Sequence, residues 1–501
     1  MNDTDSSVVE TTVAIIGAGF AGVCLGIKLG RAGIPFVILE KASAVGGVWR
    51  DNIYPGAACD VPSHLYSFSF EPSHDWSRAY GQAGEIRSYI ETCARKHGVL
   101  DHVRCDSEVT AASFDEHSGR WRVSVADGTE VQARFLVPAT GQLSLPAEPN
   151  LPGLDTFAGT VFHSARWDHD YELTGKRVAV IGSGASAIQF VPQIVDKVAQ
   201  LYLFQRSAPY VLPKPDRSYT PLEKYLYRHF PAVLATSRTR KYLYHEARVI
   251  PMTKGRGLPL IMGMFRRNLH KHVSDPQLRR RLTPDYPLGC KRVLISNDWY
   301  PAITRPNVEV LSTGLAKVRA HTVLGADGTE RAVDAIIFGT GFAGSDFLAP
   351  MTITGRNGLD LRRDAWRDGP EAYLGMAVSG FPNMFILYGP NTNLGHNSII
   401  YMLESQTDYV LGAIRHLGAY GRGWANVRPE VQARYNSEIQ QRLSATVWEA
   451  GCTSWYRTAE GKNTNNWPSF TTDYRKRTRF FDPGNYELHP AAEPTVAAGR
   501  P

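Results

Sequence analysis

The chain has 501 residues, of which 43% are hydrophobic and 21% charged, with a formal net charge of +7. This is the composition of an ordinary globular protein and excludes a disordered or fibrous one; the length predicts two or three domains. A core of that size needs no staples, and the six cysteines form no C-x-x-C pair and no histidine cluster at ligand spacing, so they are read as free thiols in a reducing cytoplasm, with no metal site.

Residues 1–12 are polar and acidic, unlike a signal peptide, and no uncharged apolar run approaches the ~20 residues that cross a bilayer. Residues 12–16 form a short β-branched run, followed by Gly17-Ala18-Gly19-Phe20-Ala21-Gly22 and an apolar-periodic segment over residues 23–32. The pattern predicts strand, glycine turn and helix. Gly17 permits the turn, Gly19 lets a pyrophosphate approach the backbone, and Gly22 lets the helix pack on the strand. The phosphates then gather at the helix N-terminus. A second strand, residues 35–39, ends in Glu40, where a carboxylate about 20 residues on accepts from a ribose 2′-hydroxyl. Residues 134–137 lead into Ala139-Thr140-Gly141 and are read as closing the opening part of this unit.

The pattern recurs at residues 178–181, with Gly182-Ser183-Gly184-Ala185-Ser186-Ala187 as the turn. Its second strand, residues 201–204, runs into Gln205-Arg206-Ser207, so an arginine stands in the place of the ribose acid. A guanidinium there suits a 2′-phosphate, and the second nucleotide is predicted to be NADPH. Residues 215–285 are basic and rich in Tyr and Leu at helical spacing, which predicts a helical insertion with a solvated basic face and no nucleic-acid site. Residues 334–338, running into Gly339-Thr340-Gly341-Phe342, are read as a return to the first unit. The expected architecture is α/β, with two Rossmann-like dinucleotide-binding domains: residues 1–148 and 335–501 for FAD, and 149–334 for NADPH.

Phe157-Ala158-Gly159-Thr160-Val161-Phe162-His163-Ser164-Ala165-Arg166-Trp167-Asp168 matches F-x-G-x-x-x-H-x-x-x-W-[P/D], the fingerprint of Baeyer-Villiger monooxygenases. The chain also resembles that family in Gly46-Gly47-Val48-Trp49, in Tyr54-Pro55-Gly56-Ala57-Ala58-Cys59-Asp60, and in Lys291-Arg292 ahead of Trp299-Tyr300. The resemblance implies that NADPH reduces FAD and that dioxygen and a small ketone yield an ester or lactone through a flavin peroxide. It makes Arg292 the cation beside the flavin, Asp60 the residue that positions Arg292 or tunes hydride transfer, and His163 a conformational link without substrate contact. Flavin contacts implied are Gly17, Gly19, Phe20, Gly22, Glu40, Lys41, Gly47, Val48, Trp49, Asp60, Tyr66, Val109 and Gly141. NADPH contacts implied are Ala58, Gly182, Ser183, Gly184, Ala185, Ser186, Ala187, Arg206, Ser207, Lys291 and Trp455. Ala58 departs from the family, whose members often carry arginine there. The alternatives are a nitrogen- or sulfur-oxidising flavin monooxygenase and, from another class, a non-catalytic FAD/NADPH sensor. The sequence leaves the oligomeric state open.

Overall fold

The computed structural model describes residues 8–419, 422–452 and 454–490. Two sheets organise the chain. In the first, the strand order is Thr352–Thr354, Val109–Asp115, Arg120–Val125, Glu130–Pro138, Val8–Ile16, Phe36–Leu39, Val103–Arg104. Val8–Ile16 lies parallel between Phe36–Leu39 and Glu130–Pro138, with Ile16 opposite both Leu39 and Pro138. The C-terminal ends of these strands are therefore level, which is where a parallel sheet places its ligand. Helix Phe20–Arg31 follows the first strand and turns its apolar residues into a core shared with helix Ile399–Ala419.

The second sheet is wholly parallel, in the order Val308–Leu311, Gln200–Phe204, Arg177–Ile181, Ala335–Phe338, Thr160–His163. Its central strands are apolar on both faces, as strands covered on both sides must be. Ala335–Phe338 corrects the reading that residues 334–338 return to the first unit: the strand is paired on both edges inside the second sheet. The register is pinned at its start, where the Asp334 carboxylate accepts from the Arg177 backbone N–H at 2.8 Å and from its guanidinium at 2.7 Å. The return to the first sheet comes later, at Thr352–Thr354 beside Val109–Asp115, and at residues 384–387, where Phe385 N–H donates to Leu136 O and Leu387 N–H to Pro138 O.

The cysteine reading is also corrected. Cys290 and Cys452 form a disulfide, while Cys24, Cys59, Cys93 and Cys105 are free. The two partners stand 162 residues apart in sequence with Cα atoms 6.2 Å apart, so only the folded chain brings them together. Among the described residues no helix is long and apolar enough to cross a membrane, and no cluster of three or more His, Cys, Asp or Glu is placed to hold a metal.

Five helices occupy the basic segment: Pro221–His229, Pro231–Ala247, Val249–Lys254, Leu258–His272 and Pro276–Arg281. The second is fastened to the loop around His64. The His64 imidazole is buried, stacks on Tyr219 with centroids 5.0 Å apart, and meets Ser237 Oγ at 2.9 Å, while Arg238 donates to the His64 carbonyl at 2.7 Å. Burial, together with Lys241 and Arg238, pulls its pKa down to about 3.

A histidine neutral in the fold but titrating near 6.5 when unfolded costs nothing above that pH and destabilises progressively as the pH falls towards 3. The thermal midpoint is therefore expected to drop between pH 6.5 and 4, with His64 contributing up to about 1.4 kcal/mol per pH unit. Melting curves of His64→Gln over that range should be flatter than wild type. An unchanged slope would show that His64 takes up a proton in the folded state.

Candidate active site

Helix Phe20–Arg31 begins at Gly19 with no side-chain cap and no acid in its first turn, which leaves its opening N–H groups for an anion. The turn before it is compressed. Gly17 has φ of +102°, and a Cβ on Gly22 would lie 2.0 Å from the Gly17 carbonyl oxygen. Only glycine fits this contact, so Gly22 shapes the turn and does not line the cavity beyond it.

Of the proposed flavin contacts, Gly17, Gly19, Phe20, Glu40, Lys41, Gly47, Val48, Trp49, Tyr66, Val109 and Gly141 all line that one cavity. Glu40 is buried and accepts from Ala18 N–H at 2.8 Å, Ala42 N–H at 3.0 Å and Arg50 Nη1 at 2.9 Å. Its remaining lone-pair capacity suits a ribose hydroxyl. Deeper in, Trp49 Nε1 donates to the Tyr66 hydroxyl at 3.3 Å, and Phe20 stands edge-on to Tyr66 at 5.2 Å. These rings make a dry aromatic wall of the kind that seats a flat heterocycle. A narrow glycine cradle, an uncapped helix end, a ribose-level carboxylate and an aromatic wall together fit FAD.

The second turn repeats the arrangement. Gly182 has φ of +107°, a Cβ there would lie 2.5 Å from the Gly339 carbonyl oxygen, and helix Ala187–Ile194 starts at Ser186 without a side-chain cap. At the end of strand Gln200–Phe204, Arg206 is exposed and Lys291 Nζ donates to Ser207 Oγ at 3.0 Å. Burial lowers the Lys291 pKa, and Arg206 adds repulsion to that, opposed by Asp285. Among the described residues neither cation has a salt-bridge partner. Two cations near enough to repel, one of them bonded to a serine hydroxyl, fit the 2′-phosphate of NADPH.

Arg292 ties the parts together. Its Nε donates to Asp60 Oδ2 at 3.1 Å and its Nη2 to the same oxygen. Asp60 drives the Arg292 pKa above its ordinary value against the cost of burial. Burial resists ionisation of Asp60, but Arg292, with Arg248 and Lys214 behind it, holds the carboxyl below the usual carboxylate range. Both groups are therefore charged at neutral pH. Their side chains are 31% and 32% exposed, so the pair opens onto space and is not sealed in the core. Tyr388, a lining residue of the flavin cavity, stands within electrostatic reach of Arg292, as does the buried Tyr456. Neither Asp60 nor Arg292 lines the cavity itself; the pair lies beside it, connected through Tyr388.

The family described as flavin-binding monooxygenase-like matches residues 10–352. A Baeyer-Villiger monooxygenase of Pseudomonas aeruginosa is 46% identical over 97% of this chain and 93% of its own length, and one of Streptomyces coelicolor is 46% identical over 97% and 94%. The chain belongs to the Baeyer-Villiger monooxygenases. Among solved structures, an oxidized steroid monooxygenase bound to NADP superposes with a TM-score of 0.85 at 31% identity, covering 96% of this chain and 100% of that one. A closed cyclohexanone monooxygenase gives 0.85 at 27% identity, covering 97% and 100%. The enzyme is thus a two-domain α/β flavoprotein monooxygenase that uses FAD and NADP.

Other proposed site residues sit at the seams of this Baeyer-Villiger monooxygenase. His163 is buried; its Nδ1 accepts from Ala165 N–H at 3.0 Å and its ring lies 6.0 Å from that of Phe342. Burial lowers its pKa, so it is neutral. Phe342 belongs to the linker that leaves the second sheet, and that linker pairs with the one entering it, Ala147 N–H to Gly341 O at 2.9 Å. Trp455 is 36% exposed and packs on the same linker, where a Cβ on Gly344 would meet its ring at 2.7 Å. The Ala58 backbone is taken up by Gln189 of helix Ala187–Ile194: Nε2 donates to Ala58 O at 2.9 Å, and Oε1 accepts from Ala58 N–H at 3.3 Å and from the Tyr54 hydroxyl at 2.9 Å. Sequence reasoning missed Gln189, Tyr388 and Tyr456. Tyr456 adjoins Trp455 and was within reach of the motif; Gln189 and Tyr388 carry no local signal.

If Arg206 and Lys291 share a 2′-phosphate, Arg206→Ala should raise KM for NADPH about tenfold to a hundredfold, the value of a charge-assisted contact of roughly 1.5–3 kcal/mol. KM for NADH should hardly move. Steady-state kinetics with both nucleotides checks this, and equal effects would remove Arg206 from the phosphate site.

Proposed function

We propose that this enzyme inserts oxygen beside the carbonyl of a small ketone, giving an ester or lactone, in the space beside the flavin cavity where Arg292 meets Asp60. The observation that carries the reading is a permanent cation, oriented by one carboxylate and still open to a third of its surface. When bound, NADPH supplies a hydride and FAD, once reduced, activates dioxygen.

The chain's own residues do the rest. Arg292 presents fixed N–H donors where negative charge grows on the substrate oxygen, and it cannot lose its proton in doing so. Asp60 anchors one edge of the guanidinium and leaves other donors for substrate. Phe20, Trp49 and Tyr66 keep water from the face of the flavin ring. Glu40 and Lys41 hold the adenosine end of FAD, and the glycine turns at Gly17 and Gly182 receive the two pyrophosphates. Ser183, Gly184, Ala185, Ser186 and Ala187 shape the second turn, while Arg206, Ser207 and Lys291 take the 2′-phosphate. His163 is a positioning residue at the paired linkers, and Trp455 covers the nicotinamide. Oxidation at nitrogen or sulfur builds no carbonyl oxyanion and has less use for such a cation, which favours ketones. We place the enzyme in the cytoplasm, where NADPH is made, without a nucleic-acid partner.

Arg292→Ala should lower ester formation by at least about 10²–10³, the usual effect of removing oxyanion donors from a dry site, with FAD content and fold retained. Arg292→Lys keeps the charge but loses the planar fork and should recover only part of the rate. Product analysis after anaerobic reduction and exposure to dioxygen reads both variants. Ketone conversion near the wild-type rate in Arg292→Ala would overturn the assignment.

A further inference from the structure

Cys290 adjoins Lys291 and Arg292 on one side and Gly289 on the other, and it is fully buried. Its partner Cys452 is partly exposed and lies three residues before Trp455 and four before Tyr456. The bond therefore joins the segment that carries both site cations to the segment that places one aromatic on the interdomain linker and another beside Arg292. The segment is anchored from Tyr456 onward, where Tyr456 is buried, Asn465 Nδ2 donates to its carbonyl at 3.4 Å and Lys462 pairs with Glu371 at 2.6 Å; before it, among the described residues, Asn465 Nδ2 also donates to the Trp455 carbonyl at 3.2 Å and a Cβ on Gly289 would touch Val447 at 2.9 Å.

We infer that Cys290 and Cys452 are a redox-active thiol pair whose oxidation by hydrogen peroxide clamps the C-terminal segment over the NADPH site. The inference rests on the proposed roles of Lys291, Arg292 and Trp455. A peroxide source lies in the activity itself: a reduced flavin reoxidised by dioxygen without oxygenating a substrate releases hydrogen peroxide. The accessible thiol is Cys452. Its thiolate attacks one peroxide oxygen, forming an S–O bond as the O–O bond breaks, and the departing hydroxide leaves as water. The Cys290 thiol, losing its proton, then attacks that sulfur; the S–S bond forms, the S–O bond breaks, and a second water leaves. Two electrons pass from the cysteines to one peroxide, and a cellular dithiol reverses the step by exchange. In a reducing compartment the pair stays open until peroxide accumulates. The clamp therefore closes in response to uncoupled turnover.

The test uses the full-length holoenzyme, reduced with dithiothreitol and freed of it, then treated with hydrogen peroxide or left untreated. Alkylation and peptide mass spectrometry should show a Cys290–Cys452 cross-linked peptide only after peroxide. Limited proteolysis across residues 450–462 should be slower in the oxidised form by about tenfold, since the bond removes local opening. NADP+ release from the oxidised form, followed by stopped flow, should slow in parallel. Cys452→Ser should show the fast values under both conditions. Peroxide treatment that leaves both thiols alkylatable would overturn the proposal, as would a cross-link that changes neither proteolysis nor NADP+ release. Slower proteolysis with unchanged release would overturn the clamp over the NADPH site specifically. Thiol counts and proteolysis do not depend on what Arg292 does, so a failed Arg292 assignment is distinguishable from a failed clamp.

Discussion

The contact between Arg292 and Asp60 is the constraint around which the rest of the site is arranged. Arg292 reaches across from the segment that follows the helical insertion, while Asp60 lies in the loop that leads away from the flavin cavity. A charged pair with about a third of each side chain exposed returns little stability from its attraction, so its presence argues for orientation rather than for stability. To keep the pair in register, the two nucleotide units must dock closely just beside it. They do so at backbone distance: a Cβ on Gly56 would lie 2.7 Å from the Gln189 carbonyl oxygen, and the Gln189 amide holds both polar groups of Ala58. Ala58 has no side chain long enough to form an ion pair at this seam, and a neutral amide from the facing helix satisfies its backbone instead.

The electrostatics follow the same plan. Asp60 feels three cations, Arg292, Arg248 and Lys214, and the second nucleotide turn adds Arg206 and Lys291. Asp285 offsets part of the charge on Lys291 and Asp216 part of that on Lys214, but the cations outnumber these carboxylates, which leaves a positive field for an anionic dinucleotide and for a carbonyl oxygen gaining negative charge. The price is repulsion between cations: burial is the larger cause of the depressed Lys291 and Lys214 ammoniums, and Arg206 adds to it at Lys291 and Arg78 at Lys214. Bound phosphate would relieve the part that Arg206 imposes on Lys291.

The parts of this plan that the sequence reveals are those with local grammar. A glycine turn between a β-branched run and an apolar-periodic segment has one economical fold, and the residue closing the next strand, Glu40 or Arg206, follows from the geometry of that fold. The Lys291-Arg292 pair is legible because its motif stands intact. The place of Ala335–Phe338 is not legible locally, because Ala-Ile-Ile-Phe suits any central parallel strand and the identity of its neighbours depends on chain that lies far away. The same holds for Cys290 and Cys452, which no spacing rule links, and for Gln189, whose meaning arises only when the Ala58 backbone is set against it. Local pattern thus specifies each nucleotide unit, whereas the seam between them is written in tertiary contacts.

The helical insertion is fastened to the body of the fold and is not a loose appendage. Helix Pro231–Ala247 is anchored near one end by His64 and at the other by Glu246, a buried carboxylate that accepts from Thr471 N–H at 2.6 Å, Thr471 Oγ1 at 2.9 Å and Asn397 Nδ2 at 2.6 Å. Burial works against its ionisation, but His396 and these donors hold its pKa below the ordinary carboxylate value. Between the anchors the helix has little freedom to swing. Two residues beyond Glu246 comes Arg248, which meets His245 Nδ1 at 3.1 Å and lies within the field of Asp60. The insertion therefore adds a cation to the field around the Arg292–Asp60 pair.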